Sequence, residues 1–341
     1  MMEHIAQKIA DGLDDLNNLF ENRVVILTGS HGYLGTHLRR YFDYINKTRL
    51  KKPARLICLD NFITGREDSQ NYGFENIKHD VTKKITIRGK IHYIIHLSSI
   101  ASPYYYRKYP LDCFRTNIFG TERILELARK KECLSVLYAS SSEIYGDALQ
   151  IPTMESYRGN VSCLGPRGVY DESKRASECL CECYHNLYGV KVKIVRPFNF
   201  FSEGMNQLDY RVLPNFASKI LKNEPIQVYG DGKQTRTMTY VSDGLEGCLR
   251  VLLLGVDGQP YNICANGEIS MYDLAKLLAE IAGKEAKVTL TPYPDSYPAD
   301  EPMRRIGDTT KARNQVGFRS KIDIKTGLKY FMEWAAENYT F

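Results

Sequence analysis

Four residues of the chain have types and spacing that suit chemistry on an alcohol. Ser141 lies in ASSSEIYGD with Glu143 two positions on, and Tyr170 and Lys174 lie in GVYDESKR, Tyr170 falling 29 positions after Ser141. Tyr170 and Lys174 are spaced i, i+4, so they share a face if YDESKRASECLCECYHNLYG is helical. An ammonium beside a phenol favours phenolate and is expected to bring the Tyr170 pKa down from ~10. A phenolate can then take the proton of a hydroxyl held by Ser141 while hydride leaves the same carbon. YxxxK alone is common. Tyr170 and Lys174 on an exposed helix face, and Glu143 as an exposed loop acid, are the plain alternatives.

Hydride transfer needs an acceptor, and the front of the chain supplies a site for one. RVVILT, residues 23–28, is a short β-branched apolar run of the kind that forms a buried parallel strand. GSHGYLG follows, then THLRRYFDYIN with helical periodicity. Strand, glycine turn and helix are the context a dinucleotide fingerprint requires. Gly29 allows the tight turn, Gly32 lets a pyrophosphate approach the backbone, and Gly35 lets helix pack on strand. The helix N-terminus favours the phosphates. The second apolar run, RLICLD, ends in Asp60, 25 residues after Gly35. A carboxylate there accepts from ribose hydroxyls and repels a 2′-phosphate, which selects NAD over NADP, although Arg66 lies near enough to meet a phosphate. Asp60 as a solvated turn residue is the alternative.

Further strands are expected at NIKHDV (76–81), HYIIHLSS (92–99), SVLYASSS (135–142) and KVKIVRPFN (191–199), with helical patterns between most of them. This alternation predicts an α/β, Rossmann-type doubly wound parallel sheet. Ligands of such sheets sit beyond the carboxyl ends of the strands, where each of these motifs falls.

The 341 residues are 43% hydrophobic and 25% charged, with a net charge of +6, an ordinary globular balance. No window approaches the ~18 apolar residues of a membrane helix, and the acidic N-terminus is not a secretory signal. Ile5, Ile9, Leu13, Leu16 and Phe20 recur at helical spacing, so residues 1–22 are expected to form an amphipathic helical extension packed on the domain or on a partner. The nine cysteines show no CxxC pair and no zinc spacing. They are expected to be buried or half-buried thiols of a cytoplasmic protein. Basic residues are scattered without interleaved aromatics, which argues against nucleic acid and suits a small polyanion.

The motifs together are more specific. TGSHGYLG, LDNFITGR, HLSSIASPYYY, RTNIFGT, ASSSEIYGD, GPRGVYDESKR, RPFNFF, RVLPNF and VYGDGKQTRTMTYVSD make residues 23–330 resemble the extended short-chain dehydrogenase/reductases of the nucleotide-sugar epimerase/dehydratase type. The RIGDTTKA element near the end matches as well, and the spacing from Ser141 to the tyrosine after GPR resembles the UDP-glucuronate decarboxylase branch. Glu143 resembles the glutamate of enzymes that move a proton at C5 as well as oxidising C4. Ser142 stands where hexose 4,6-dehydratases carry the aspartate that protonates a departing hydroxyl.

The resemblance implies a lyase that uses and regenerates NAD on a UDP-sugar, with no metal because the transient ketone is the electron sink. It implies a homodimer built on the YxxxK helix and the helix after RTNIFGT. It places Ser141, Glu143, Tyr170 and Lys174 in catalysis. Gly29, Gly32, Tyr33, Leu34, Gly35, Asp60, Asn61, Phe62, Thr64, Gly65, Asp80, Val81, Leu97, Ser99 and Thr116 join Tyr170 and Lys174 around the cofactor. Tyr106, Arg115, Ser142, Asn199, Arg211, Asn215, Tyr229, Arg236 and Arg305 fall on the substrate. The cofactor domain is expected over 23–199 with a return at 236–264, and a smaller substrate domain over 200–235 and 265–341. Three departures, Ile100, Arg158 and FSEGMN (201–206), are expected near the sugar pocket. A 4,6-dehydratase acting on a neutral hexose, or a silent scaffold subunit, are the alternative functions.

Overall fold

A computed structural model describes residues 2–66, 72–293 and 302–341. Its centre is a seven-stranded sheet in which every pair is parallel. The strands are β1 (Val24–Thr28), β2 (Arg55–Asp60), β3 (Glu75–Lys78), β4 (Tyr93–His96), β5 (Ser135–Ala139), β6 (Val192–Pro197) and a last strand, Pro260–Ile263, in the order β3-β2-β1-β4-β5-β6-last. Strand order reverses at β1, which pairs with β2 on one side and β4 on the other. The open end of that junction is where an α/β sheet binds its ligand.

Alternate side chains of these strands enter different cores. Val25 and Leu27 join one cluster, Ile26 and Ile57 the other. The first is covered by α1 (Glu3–Leu13), α2 (Tyr33–Thr48) and, later in the chain, α8 (Val241–Leu254). The second is covered by α5 (Thr121–Lys131) and α6 (Gly168–Tyr188). Two short helices, α3 (Pro103–Lys108) and α4 (Pro110–Arg115), follow β4, and a π-turn, Thr116–Gly120, joins α4 to α5.

Helix α1 is shorter than the periodicity predicts. The Asn17 amide donates to the carbonyls of Ala10 and Asp14, at 2.8 and 2.6 Å, and the chain continues as a 3-10 turn to Phe20. A polar side chain competing for backbone carbonyls ends the helix. Ile5, Ile9, Leu13 and Phe20 are buried in the core of this chain against α2 and α8. The expected strand 135–142 likewise stops at Ala139, because the Ser141 hydroxyl accepts the Glu143 N–H and caps a 3-10 turn, Ser142–Tyr145.

The remaining elements lie outside the seven-stranded sheet. They include α7 (Val212–Leu221), α9 (Met271–Ile281), α10 (Thr310–Val316), α11 (Ile324–Asn338) and three small sheets. In one of these, strand Arg304–Arg305 runs parallel to Thr235–Arg236, with Arg305 opposite Arg236. All nine cysteines are free. Cys163, Cys179 and Cys183 are exposed, against the expectation of burial. On α6, Cys179 and Cys183 share the outer face while Cys181 points into the core. Among the described residues no helix is long and apolar enough to cross a membrane, and no group of side chains could hold a metal ion.

Candidate active site

Two adjoining cavities open at the carboxyl edge of the sheet. The smaller is lined by Gly29, Gly32, Asp60, Asn61, Thr64, Gly65, Val81, Leu97, Ser99, Ile100 and Thr116, among others. The larger, about 660 Å³, runs from the glycine turn past Ser141, Glu143, Tyr170 and Lys174 to Asn199, Arg211, Arg236 and Arg305.

The glycine turn has the shape a pyrophosphate needs. Gly29 has φ +67°, and a Cβ there would lie 2.9 Å from the Leu97 backbone. A Cβ on Gly35 would lie 2.2 Å from the Gly29 carbonyl, so α2 and β1 touch at that point. Gly32 is less crowded than Gly35, with only the Gly29 carbonyl, at 3.3 Å, near its missing side chain. It is also the N-cap of α2, where no side chain competes for the helix N–H groups, so an anion can approach. Asp60 is held by the N–H groups of His31 and Phe62, both at 2.8 Å, and keeps a wall of the smaller cavity. This donor set and glycine turn fit NAD.

The π-turn carries RTNIFGT to the same place. Ser177 takes the Asn117 carbonyl at 2.7 Å, while the Asn117 amide bonds Ser173 and accepts from Ser99, each at 2.8 Å. Widened turns of this kind re-aim side chains; here Thr116 lines the cofactor cavity while Asn117 ties it to α6.

Tyr170 and Lys174 lie on the buried face of α6, as the spacing predicts. Their electrostatics differ from expectation. The Lys174 Nζ donates to the Ala139 carbonyl at 2.7 Å and lies 5.9 Å from the centre of the Tyr170 ring. Burial depresses its pKa to about 8. Burial also raises Tyr170 above the ordinary phenol value, opposed chiefly by its hydrogen bond with Ser141. The predicted lowering is therefore overturned for the protein alone, since desolvation, joined by the Glu143, Cys113 and Asp171 charges, outweighs the Ser141 hydrogen bond. Tyr106, buried on α3, stacks on Tyr170 with ring centres 5.4 Å and planes 15° apart.

Glu143 sits in a collar of arginines. Arg305 bonds both of its oxygens, and Arg167, in the turn before α6, bonds one of them. Burial pushes the carboxyl up, but Arg167, Arg305 and Arg236 together hold it below the usual range. Glu143 is thus an ionised acceptor and not a proton donor. The next carboxyl, Asp171, is buried 3.5 Å from Arg167. Desolvation and the Glu143 charge raise it to about 7.

Not every expected residue comes to these walls. Arg115 and Asn215 are exposed, and neither they nor Tyr229 line either cavity. Arg115 points outward because α4 turns its buried face, carrying Cys113, towards Tyr106 and Tyr170. Phe62 and Asp80 also stand off the walls: Phe62 packs on His31 at 4.8 Å, and Asp80 accepts the Thr82 N–H. Among the departures, Ile100, Phe201 and residues 204–206 reach the walls, but Arg158 is exposed and offers its carbonyl to Arg175. Ser202 and Glu203 lie beneath, on Tyr33 and Tyr240. Arg167, Asp171 and the wall residues Tyr104, Tyr105 and Tyr210 were not anticipated. GPR before the tyrosine signals Arg167, and Tyr104, Tyr105 and Asp171 fall within the quoted motifs HLSSIASPYYY and GPRGVYDESKR without being singled out, whereas Tyr210 lies outside every quoted motif.

A model of the NAD dependent epimerase/dehydratase family matches residues 25–264. UDP-glucuronic acid decarboxylase 4 of Arabidopsis thaliana is 39% identical over 309 residues, covering 89% of this chain and 66% of that protein. The chain thus spans about two thirds of the length of that relative. UDP-glucuronic acid decarboxylase 5 of the same plant is 36% identical over 92% of this chain and 89% of its own length. In fold, the chain is similar to an epimerase of Methanothermobacter thermautotrophicus, with TM-score 0.83, 24% identity and coverage of 97% and 96% of the two chains. It is also similar to a dTDP-glucose 4,6-dehydratase of Streptomyces venezuelae solved with NAD, with TM-score 0.79, 22% identity and coverage of 92% and 97%.

Proposed function

This chain belongs to the NAD-dependent epimerase/dehydratase family, and from that premise we propose that it decarboxylates UDP-glucuronate to UDP-xylose through a 4-keto intermediate. The observation that carries this assignment is a carboxylate ringed by arginines beside Ser141 and Tyr170. Arg236 and Arg305, in register on adjacent strands, with Arg211 across the cavity, suit a substrate that brings a diphosphate and a second anion. Dehydration instead needs an acid for the departing hydroxyl, and Ser142 offers none.

Ser141 and Tyr170 hold the C4 hydroxyl, and Tyr170 accepts its proton. Bound NAD supplies a hydride acceptor that gives the hydride back, and a positive ring that offsets the burial of the phenolate. With C4 a ketone, the sugar is a β-keto acid whose carboxylate leaves as carbon dioxide, its electrons passing into the carbonyl. The residues then need only to exclude bulk solvent and restore a proton at C5. Glu143, held ionised, does this by orienting a water molecule. The larger cavity holds the sugar, and Gly32, Asp60 and Thr116 hold the dinucleotide. The exposed Leu187 and Tyr188 of α6, with Phe119 before α5, support a homodimer through these helices, which light scattering on the eluting protein tests.

The deciding experiment is a mass-spectrometric screen of UDP-, dTDP-, GDP- and CDP-sugars. A pentose nucleotide and carbon dioxide from UDP-glucuronate, lost in Tyr170→Phe, is the expected result. A 4-keto-6-deoxy sugar makes the protein a dehydratase, and no conversion across the panel makes it a scaffold.

A further inference from the structure

The mouth of the larger cavity is crossed by two tyrosines. Tyr104, on α3 after β4, and Tyr210, in the segment that leads into α7, stack with ring centres 4.2 Å and planes 26° apart. Both line the cavity, yet Tyr210 is 63% exposed. A side chain that lines a cavity and meets solvent to that extent stands at its rim. Tyr104 is the braced member, met edge-on by Tyr105 at 5.1 Å, with the Lys108 ammonium 6.0 Å from its ring.

Each member of the pair is tied in sequence to the interior. Two residues after Tyr104, Tyr106 stacks on Tyr170. Immediately after Tyr210, Arg211 lies over the Tyr33 ring at 5.7 Å and bonds Asp209. The stack therefore joins α3, on the sheet side of the cavity, to the segment that leads into α7. A single aromatic pair makes a specific contact without being hard to part, which suits a closure that opens once per turnover.

We propose that Tyr104 and Tyr210 form an aromatic bridge over the sugar that keeps the 4-keto intermediate from leaving before C4 is reduced again. This rests on the 4-keto cycle proposed above. In that cycle the C4–H hydride is lent to NAD, the hydroxyl proton goes to Tyr170 and the carboxylate leaves as carbon dioxide. A keto sugar that escapes at that point is lost to the second half of the reaction. Carbon dioxide can pass a closed mouth, whereas a nucleotide sugar cannot. Tyr104 and Tyr210 are thus positioning residues that set the partition between finished pentose and free ketone.

The test uses the full chain loaded with NAD, comparing wild type with Tyr104→Ala, Tyr210→Ala, the double variant, and Tyr104→Phe and Tyr210→Phe. Mass spectrometry reads the ratio of free 4-keto-pentose nucleotide to UDP-pentose formed from UDP-glucuronate. Rapid mixing reads the release rate of prebound UDP, which needs no turnover. Each alanine variant is expected to raise both several-fold, the double variant to add little because one contact is lost in all three, and the phenylalanine variants to restore retention. Alanine variants that retain ketone and UDP like wild type, or phenylalanine variants that leak as alanine does, overturn the bridge. If the wild type leaves UDP-glucuronate untouched, UDP-glucuronate is not the substrate. The bridge is then judged on UDP release alone, faster release from the alanine variants supporting it and unchanged release overturning it.

Discussion

Arg305 closes on Glu143 across 162 positions of the chain, bonding both carboxylate oxygens. One partner follows β5 at the sheet edge and the other lies on a short strand beside Arg236. The pair is therefore a staple between two parts of the molecule as well as a part of the site. Removing one member of a buried ion pair typically costs ~3–5 kcal/mol. Glu143→Gln is expected to lower unfolding free energy by about 3 kcal/mol in urea titrations and turnover by ~10²–10⁴, while NAD still binds. Arg305→Met is expected to weaken UDP-glucuronate binding and to be less stable than wild type.

The glycines of the turn have separable roles. Gly35→Ala puts a methyl against the Gly29 carbonyl and Ser30 backbone, and overpacking of this kind costs ~1–3 kcal/mol. Gly32→Ala meets only one carbonyl, at 3.3 Å, so it is expected to lower melting much less than Gly35→Ala yet weaken NAD at least ~10-fold by blocking phosphate approach. Thermal denaturation and a fluorescence titration with NAD separate the two.

Asp171 predicts a pH dependence of stability. Its pKa is raised to about 7 from 3.8, so between those values the folded state holds a proton the unfolded chain has lost. Its contribution is present below pH 4 and is lost as pH rises through 7. His37 and His96, depressed by burial to about 4 and about 3, act with the opposite sign below pH 6.5. The measurement is therefore a difference. Asp171→Asn is expected to gain stability relative to wild type as pH rises from 4 to 7, and parallel curves contradict the assignment.

Lys174 is costly to bury. Its pKa is depressed to about 8 from 10.5, so below pH 8 the fold carries an unfavourable charge that is relieved as pH rises. Lys174→Met is expected to melt higher than wild type at pH 7, with the gap closing towards pH 10, and to lose turnover. In the wild type, kcat/KM is expected to fall as pH rises through about 8.

The sheet and the cofactor half of the site were legible because each depends on local signals. Apolar β-branched runs end at glycine or at Asp60, and a helical period sets Tyr170 above Lys174. The collar was legible only in part. Arg236 and Arg305 come together through a strand pairing of two residues each, too short to leave a pattern, and Arg115 carried no mark of the face it takes on α4. The Tyr170 pKa went the other way because a sequence shows which charges are near but not how deeply they are buried. The Tyr104–Tyr210 stack joins segments that nothing in either one pairs.

The central claim is that C4 is oxidised and reduced by one held dinucleotide while C5 takes its new proton from water. The direct measurement is the position of deuterium in the product made from UDP-glucuronate in heavy water. UDP-xylose with one deuterium at C5 and none at C4 is the predicted result. Deuterium at C4, or a product with no label at C5, contradicts it.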